Sequence, residues 1–85
     1  MELNPVILSI AGSDCSGGAG IQADIKTISA LGGYAASAIT AITIQNTLGV
    51  RAVQSIAPDI VRGQIEAGMD DLQPVAIKIG MINDI

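Results

Sequence analysis

The chain has 85 residues, enough for at most one small domain, and 49% of them are hydrophobic while 1% are aromatic, so we expect an aliphatic core that suits a buried parallel sheet. Eight acidic residues outweigh four basic ones, and the basic residues do not cluster, which argues against a nucleic-acid partner. Histidine is absent, which excludes Ser-His and Cys-His nucleophile pairs, and one cysteine can form neither a zinc site nor an internal disulfide. We therefore expect no metal site in this segment.

One uncharged stretch raises the question of a membrane span. Residues 27–50 carry no charge, but glycines, hydroxyl residues and amides interrupt their apolar character. The first residues lack the basic region of a secretory signal, and a lone cysteine suits a reducing compartment. We therefore expect a cytoplasmic protein with no membrane partner.

The first half of the chain predicts a strand, a loop, a helix and a second strand. Residues 6–11 form a short aliphatic run before a glycine loop and are typical of a strand. Residues 20–31 predict a helix that ends at the glycine pair 32–33. Its apolar positions recur every three or four residues and form one stripe: Ile21, Ile25, Ile28 and Leu31. Residues 34–44 predict the second strand, although alanines make its first half ambiguous with a helix.

The second half predicts a turn, a short strand, a helix and a third core strand. Residues 45–49 are turn-like, and residues 50–56 predict a short exposed strand at an edge. Residues 58–71 begin with Pro-Asp and predict a helix, and residues 75–79 predict a further core strand. The chain stops soon after that strand, where a next helix is expected, so we expect the sequence to be a fragment.

Alternating strands and helices predict an α/β fold with a mostly parallel sheet and crossover helices. In such sheets, ligands bind beyond the carboxyl ends of the strands. The residues predicted to lie at such ends are Gly12, Gln45, Gly80 and Met81.

Asp24 places a carboxylate inside the apolar stripe of the first predicted helix, three residues after Ile21 and four before Ile28. A charge in that position needs a partner or a purpose. Two interpretations are open. Asp24 is either a capped or paired carboxylate favoured by the helix dipole, or a hydrogen-bond acceptor for a substrate hydroxyl or ring donor.

The glycine loop at residues 12–20 can be compared with three nucleotide- and ligand-binding patterns. The phosphate-binding P-loop fails, because Gly20 is followed by Ile21 and Gln22 instead of Lys-Ser/Thr. The dinucleotide fingerprint matches loosely, but no later acid is spaced to hold a ribose. The remaining interpretations are a loop that brings backbone N–H groups to a small polar substrate, and a plain strand-to-helix turn.

Three further side chains are candidates for the site. Gln45 ends an aliphatic strand and can offer both a donor and an acceptor to a heterocycle, or it is a turn residue. Cys15 sits in a tight loop and is predicted to be a bystander. Lys78 is a lone charge in a core strand, and a structural role and a site role are equally open.

Five stretches carry a resemblance to a known family. The longest reads Ser-Gly-Gly-Ala-Gly-Ile-Gln-Ala-Asp, and the full set is residues 9–14, 16–24, 39–41, 45–47 with 49–50, and 78–81. The sequence resembles the hydroxymethylpyrimidine and phosphomethylpyrimidine kinases of thiamine biosynthesis, and it covers roughly the first third of such an enzyme. The resemblance implies a ribokinase-like fold, phosphoryl transfer from ATP with Mg²⁺ to the hydroxymethyl group and then to the monophosphate, and a homodimer.

The resemblance also implies roles for particular residues. It makes Gly12, Asp24, Gln45 and Met81 pyrimidine-site positions, with Gln45 hydrogen-bonding the aminopyrimidine edge. Residues 1–85 are then the N-terminal substrate-binding segment of a single kinase domain. The catalytic residue, the anion hole and the ATP site are expected in a later part, so the segment alone is predicted to be inactive. A pyridoxine-type vitamin kinase and a non-catalytic module with a kinase-derived pocket are the alternatives.

Overall fold

A computed structural model of the chain describes residues 4–80. Its four strands and two helices follow in the order β1 (Val6–Asp14), α1 (Gly20–Ala30), β2 (Tyr34–Asn46), β3 (Gly49–Ser55), α2 (Pro58–Leu72) and β4 (Ala76–Ile79). Every predicted element is present. β1 continues to Asp14, three residues further than predicted, because an irregularity between Ala11 and Ser13 lets the strand pass Gly12 without losing its partner β2.

The four strands form one sheet in the order β3-β2-β1-β4. β1 pairs in parallel with both β2 and β4, whereas β2 and β3 form an antiparallel hairpin. The parallel pairing of β1 with the first half of β2 resolves the ambiguity of that alanine-rich stretch in favour of a strand. The prediction of an α/β fold with a mostly parallel sheet is confirmed.

The two helices lie on opposite faces of the sheet. α2 contributes Ile65, which packs against the core cluster that includes Leu8 and Ile10 of β1. α1 contributes Asp24, which is hydrogen-bonded to Ser9 between those two residues. Because successive strand residues point to opposite faces, the helices cover opposite sides of β1. Within residues 4–80, neither helix is both long enough and apolar enough to span a membrane.

Only two of the four residues predicted to form the apolar stripe of α1 are buried. Ile21 and Ile28 are buried, but Ile25 is 38% exposed and Leu31 is 84% exposed. Ile21 and Ile28 lie two turns apart on one line of the helix, with Asp24 to one side of that line and Ile25 to the other. The Asp24 side faces the sheet, so Ile25 faces solvent. Leu31 follows the last helical residue as the C-cap, where the chain leaves the helix.

The strand predicted at residues 75–79 is present as β4, but it is exposed in the described part of the chain. β4 is an edge strand whose described neighbour is β1, and all four of its residues are exposed. Its position beside β1 nevertheless brings Lys78 opposite Ser9. This pairing places a lysine at the end of the sheet where the site is expected.

Candidate active site

A pocket of about 300 Å³ opens beyond the carboxyl ends of the parallel strands. β1, β2 and β4, the start of α1 and the start of β3 all contribute to its wall. The residues that matter for its chemistry are Gly12, Asp14, Thr43, Gln45, Lys78 and Gly80. Its size is at the lower end of the range for small-molecule sites and suits a ligand with a single ring.

Gln45 lies at the pocket wall with its backbone fixed and its side-chain amide available. The Cys15 thiol donates a hydrogen bond to the Gln45 carbonyl at 3.1 Å, and the Gln45 N–H donates to Cys15 Sγ at 3.4 Å. The β2–β3 register also shifts between Ile44 and Gln45. The amide of Gln45 makes no hydrogen bond with the side chains and backbone described in residues 4–80, so its donors and acceptor are free for a ligand.

The prediction that Cys15 is a bystander leaves out its contact with the backbone of Gln45. It is exposed and remains a free thiol, but it contacts the backbone of a pocket residue that is thirty positions away in sequence. Nothing in the local pattern around Cys15 indicates this contact, because it depends on the approach of the β1–α1 loop to the end of β2.

The glycine loop is organised around a carboxylate of its own chain. Asp14, 4% exposed, accepts hydrogen bonds from the Ser16 N–H at 2.8 Å and the Ser16 hydroxyl at 2.7 Å. It also accepts from the N–H groups of Gly18 at 3.1 Å and Ala19 at 2.9 Å. Of the two interpretations of this loop, the one that brings N–H groups to a substrate cannot use those of Gly18 and Ala19, because Asp14 occupies them. Sequence analysis missed Asp14, and the Asp-x-Ser spacing typical of an Asx turn was the available signal.

The same contacts set the protonation of Asp14. The Ser16 hydroxyl holds the pKa of the Asp14 carboxyl below its ordinary value, although removal from water acts in the opposite direction. The N–H groups of Ser16, Ala19 and Gly18 add to the lowering of the pKa. Asp14, the last residue of β1, is therefore charged, and it accepts a hydrogen bond from the N–H of Ala19, the N-cap of α1, where the helix dipole also favours a negative charge.

Gly12 and Gly20 bring the end of β1 and the start of α1 close together. Gly20 has a φ of +61°, and a Cβ at this position would collide with the Gly12 carbonyl oxygen. A residue with a side chain would have to move α1 away from β1. Gly12 itself lines the pocket, as predicted for a residue at the end of this strand.

The carboxylate of Asp24 is hydrogen-bonded to two other side chains of the protein. Its carboxylate accepts a hydrogen bond from the Ser9 hydroxyl at 2.6 Å, and Lys78 Nζ donates to its two oxygens at 3.1 and 3.0 Å. Its side chain is 16% exposed, and it is not among the described residues that line the pocket. The paired carboxylate, one of the two interpretations, is thus present, and the contact of Asp24 with a substrate hydroxyl stays a prediction.

Partial burial by itself raises the pKa of the Asp24 carboxyl. The Ser9 hydroxyl and the Lys78 ammonium outweigh that effect and hold the pKa below its ordinary value. Asp24 thus stays negative and keeps Lys78 in place. Lys78, for which both roles were open, is at once the partner of Asp24 and part of the pocket wall. Met81, the fourth predicted site residue, lies outside the described residues.

Two features bear on whether the described segment could hold a metal ion or phosphates. Between residues 4 and 80, no three carboxylate or cysteine side chains are grouped closely enough to hold a metal. The loop N–H groups that could bind phosphates are occupied by Asp14. The groups that the pocket wall offers are the amide of Gln45 and the ammonium of Lys78.

A mostly parallel sheet, helices on both faces and a pocket beyond the strand ends are typical of α/β proteins that bind small molecules at that end of the sheet. Comparison with known proteins gives the family. The profile of the phosphomethylpyrimidine kinase family matches residues 14–85, and the chain belongs to that family.

Individual relatives agree with this assignment. The hydroxymethylpyrimidine/phosphomethylpyrimidine kinase of Rhizobium meliloti (strain 1021) is 58% identical over 81 residues, covering 95% of this chain and 30% of that protein. The Escherichia coli (strain K12) enzyme of the same name is 55% identical over 75 residues, covering 88% of this chain and 28% of that protein. The chain thus spans less than a third of the length of these relatives.

Solved structures give the same fold. The phosphomethylpyrimidine kinase of Clostridium difficile 630 superimposes with a TM-score of 0.90 at 58% identity, covering 93% of this chain and 36% of that one. A pyridoxal kinase from Staphylococcus aureus superimposes with a TM-score of 0.87 at 38% identity, covering 98% of this chain and 30% of that one. These neighbours place the fold among the ribokinase-like vitamin kinases.

Proposed function

We propose that the whole protein phosphorylates 4-amino-5-hydroxymethyl-2-methylpyrimidine and then its monophosphate, in thiamine biosynthesis. The match of residues 14–85 to the phosphomethylpyrimidine kinase family is the observation that carries this proposal. A rice relative, 44% identical over 81 residues, is named as a probable thiamine biosynthetic bifunctional enzyme, which supports the same pathway. A kinase of this family requires ATP and a divalent metal ion, here Mg²⁺, and both would be held by residues beyond this segment.

In this proposal, residues 1–85 are the N-terminal pyrimidine-binding segment of one kinase domain. Gly12, Asp24, Gln45 and Met81 are its site residues. Gly12 and Gln45 line the pocket, and Asp24 is bonded to the pocket residue Lys78. The Gln45 amide has a donor and an acceptor for the aminopyrimidine edge. Phosphoryl transfer depends on positioning and on charge stabilisation, so this segment alone would bind without catalysing.

The test uses the full-length protein with ATP and Mg²⁺. We expect ADP formation that depends on the hydroxymethylpyrimidine and on its monophosphate, and a lower kcat/KM with pyridoxal. Turnover of pyridoxal without turnover of either pyrimidine would contradict the proposal. Turnover of no substrate, with binding of the pyrimidine retained, would favour the non-catalytic module.

The alternative is a pyridoxine-type vitamin kinase, favoured by the superposition on the Staphylococcus aureus pyridoxal kinase. The identity to that protein is 38%, against 58% to the pyrimidine kinase of Clostridium difficile 630, so we prefer the pyrimidine. A homodimer and a cytoplasmic location complete the proposal. Light scattering of the full-length protein and cell fractionation test these two points.

A further inference from the structure

Lys78 is the cationic side chain of the pocket. Among the described residues that line it, Lys78 alone carries a positive charge. Its Nζ donates to both oxygens of Asp24, at 3.1 and 3.0 Å, while 51% of its side chain remains exposed. The carboxylate therefore fixes the position of the ammonium group without removing it from the reach of a ligand.

The carboxylate oxygens of Asp24 and Asp14 are engaged with partners inside the protein. Asp24 lies outside the described wall and is only 16% exposed. Asp14 belongs to the wall, but both of its oxygens accept hydrogen bonds from the glycine loop. The ammonium is thus the group that a ligand would meet.

Space beside the ammonium is kept open by a glycine. A Cβ at Gly80 would lie 3.4 Å from Lys78 Nζ and 2.8 Å from the Cβ of Ala11. Any larger residue at position 80 would crowd the ammonium and the end of β1. The lack of a side chain at position 80 therefore leaves Nζ unobstructed on that side.

We propose that Lys78 binds the phosphate of the phosphorylated pyrimidine and thereby lets one pocket accept both the alcohol and its monophosphate. This inference rests on the proposed function. An ammonium group has three N–H donors, of which two point to Asp24 and one remains for an anionic oxygen. A phosphate monoester gains a charge-assisted hydrogen bond from that donor, whereas the neutral hydroxymethyl group gains far less.

The test compares two substrates in the full-length enzyme and in Lys78→Met. We expect the KM for the pyrimidine monophosphate to rise about 10- to 100-fold, and the KM for the hydroxymethylpyrimidine to rise by a much smaller factor. Arg62→Met on α2 removes the same charge from an exposed position outside the pocket wall, and we expect it to leave both KM values unchanged. Lys78→Arg keeps the charge and should restore most of the monophosphate affinity.

The ratio of the two KM values is the decisive readout, because a merely structural role changes both substrates together. An equal loss with both substrates, or no loss with either, would overturn the inference. If Lys78→Met does not fold, Lys78→Gln removes the charge but keeps a hydrogen-bond donor for Asp24, and its calorimetric affinities for the two pyrimidines are compared. A wild-type enzyme that phosphorylates neither pyrimidine would instead overturn the proposed function.

Discussion

The backbone and the side chain of Gln45 have separate partners, which makes the amide a selective target for mutation. Cys15 holds the backbone, and the amide is free among the described residues. Gln45→Ala in the full-length enzyme should weaken pyrimidine binding by about 1–3 kcal/mol, because polar ring atoms lose their partner. Calorimetric titration measures this loss, with Gln54→Ala on the exposed strand β3 as a matched control. Unchanged affinity in a folded Gln45→Ala protein would contradict the assignment.

Asp24 combines a structural contact with a predicted site role, and one variant separates them. Asp24→Asn keeps the shape but loses the charge that holds Lys78, so the free energy of unfolding should fall by about 0.5–1 kcal/mol at pH 7. The control is Asp70→Asn on an exposed position of α2. If Asp24 also orients the substrate hydroxyl, as the sequence predicts, kcat falls on the order of 10²-fold. Single-turnover phosphorylation measures this step, and normal turnover with the stability loss would contradict the direct contact.

The ionisation of Asp14 makes the free energy of unfolding depend on pH. Its folded pKa lies below the ordinary value of 3.8, so the charged form stabilises the fold above pH 3.8. That contribution is lost as the pH falls below 3.8 towards the lowered pKa. In the full-length protein, Asp14→Asn should therefore be less stable at pH 7 and should show a flatter loss of stability on acidification. Chemical denaturation at several pH values checks this, and parallel pH profiles of variant and wild type would contradict it.

The junction between β1 and α1 is the element most sensitive to a single methyl group. Gly20→Ala should destabilise the protein by about 1–3 kcal/mol, because the residue has a positive φ and its Cβ would collide with the Gly12 carbonyl. Gly63→Ala is the matched control, since a Cβ there meets nothing within 4 Å and alanine favours the interior of α2. We expect that control to stabilise by about 0.5–1 kcal/mol. Thermal melts of both variants test the pair, and equal effects would show that the junction is not tight.

The type and order of the elements were predictable because they depend on short-range patterns. Strand alternation, glycine stops and the Pro-Asp helix start all lie within a few residues. The site depended on contacts between distant positions. Asp24 meets Lys78 across 54 positions, and Cys15 meets the backbone of Gln45 across 30. A local pattern signals that Asp24 needs a partner, but only the sheet order β2-β1-β4 decides which residue it is.

At the scale of the whole molecule, the described segment has a small core and a large exposed apolar surface. The buried hydrophobic residues number seven, and three of them are alanines, whereas thirteen large hydrophobic residues are exposed. Several of the exposed residues lie on the β2–β3 hairpin and on β4: Ile42, Ile44, Val50, Val53, Ile77 and Ile79. Since even complete domains of this size are marginally stable, so small a core gives little net stability.

We therefore expect residues 1–85, produced in isolation, to bind a hydrophobic dye, to associate and to be proteolysed quickly. The physical reason is that the apolar faces of β3 and β4 stay in water, where unpaired strand edges also invite association. Circular dichroism melts and light scattering measure this behaviour, with the full-length protein under the same conditions as the control. A cooperative melt of a monomer above about 60 °C would show that the segment is a domain in its own right. If the full-length protein bound the dye and associated as readily as the segment, the instability of the segment would not come from the exposed faces of β3 and β4.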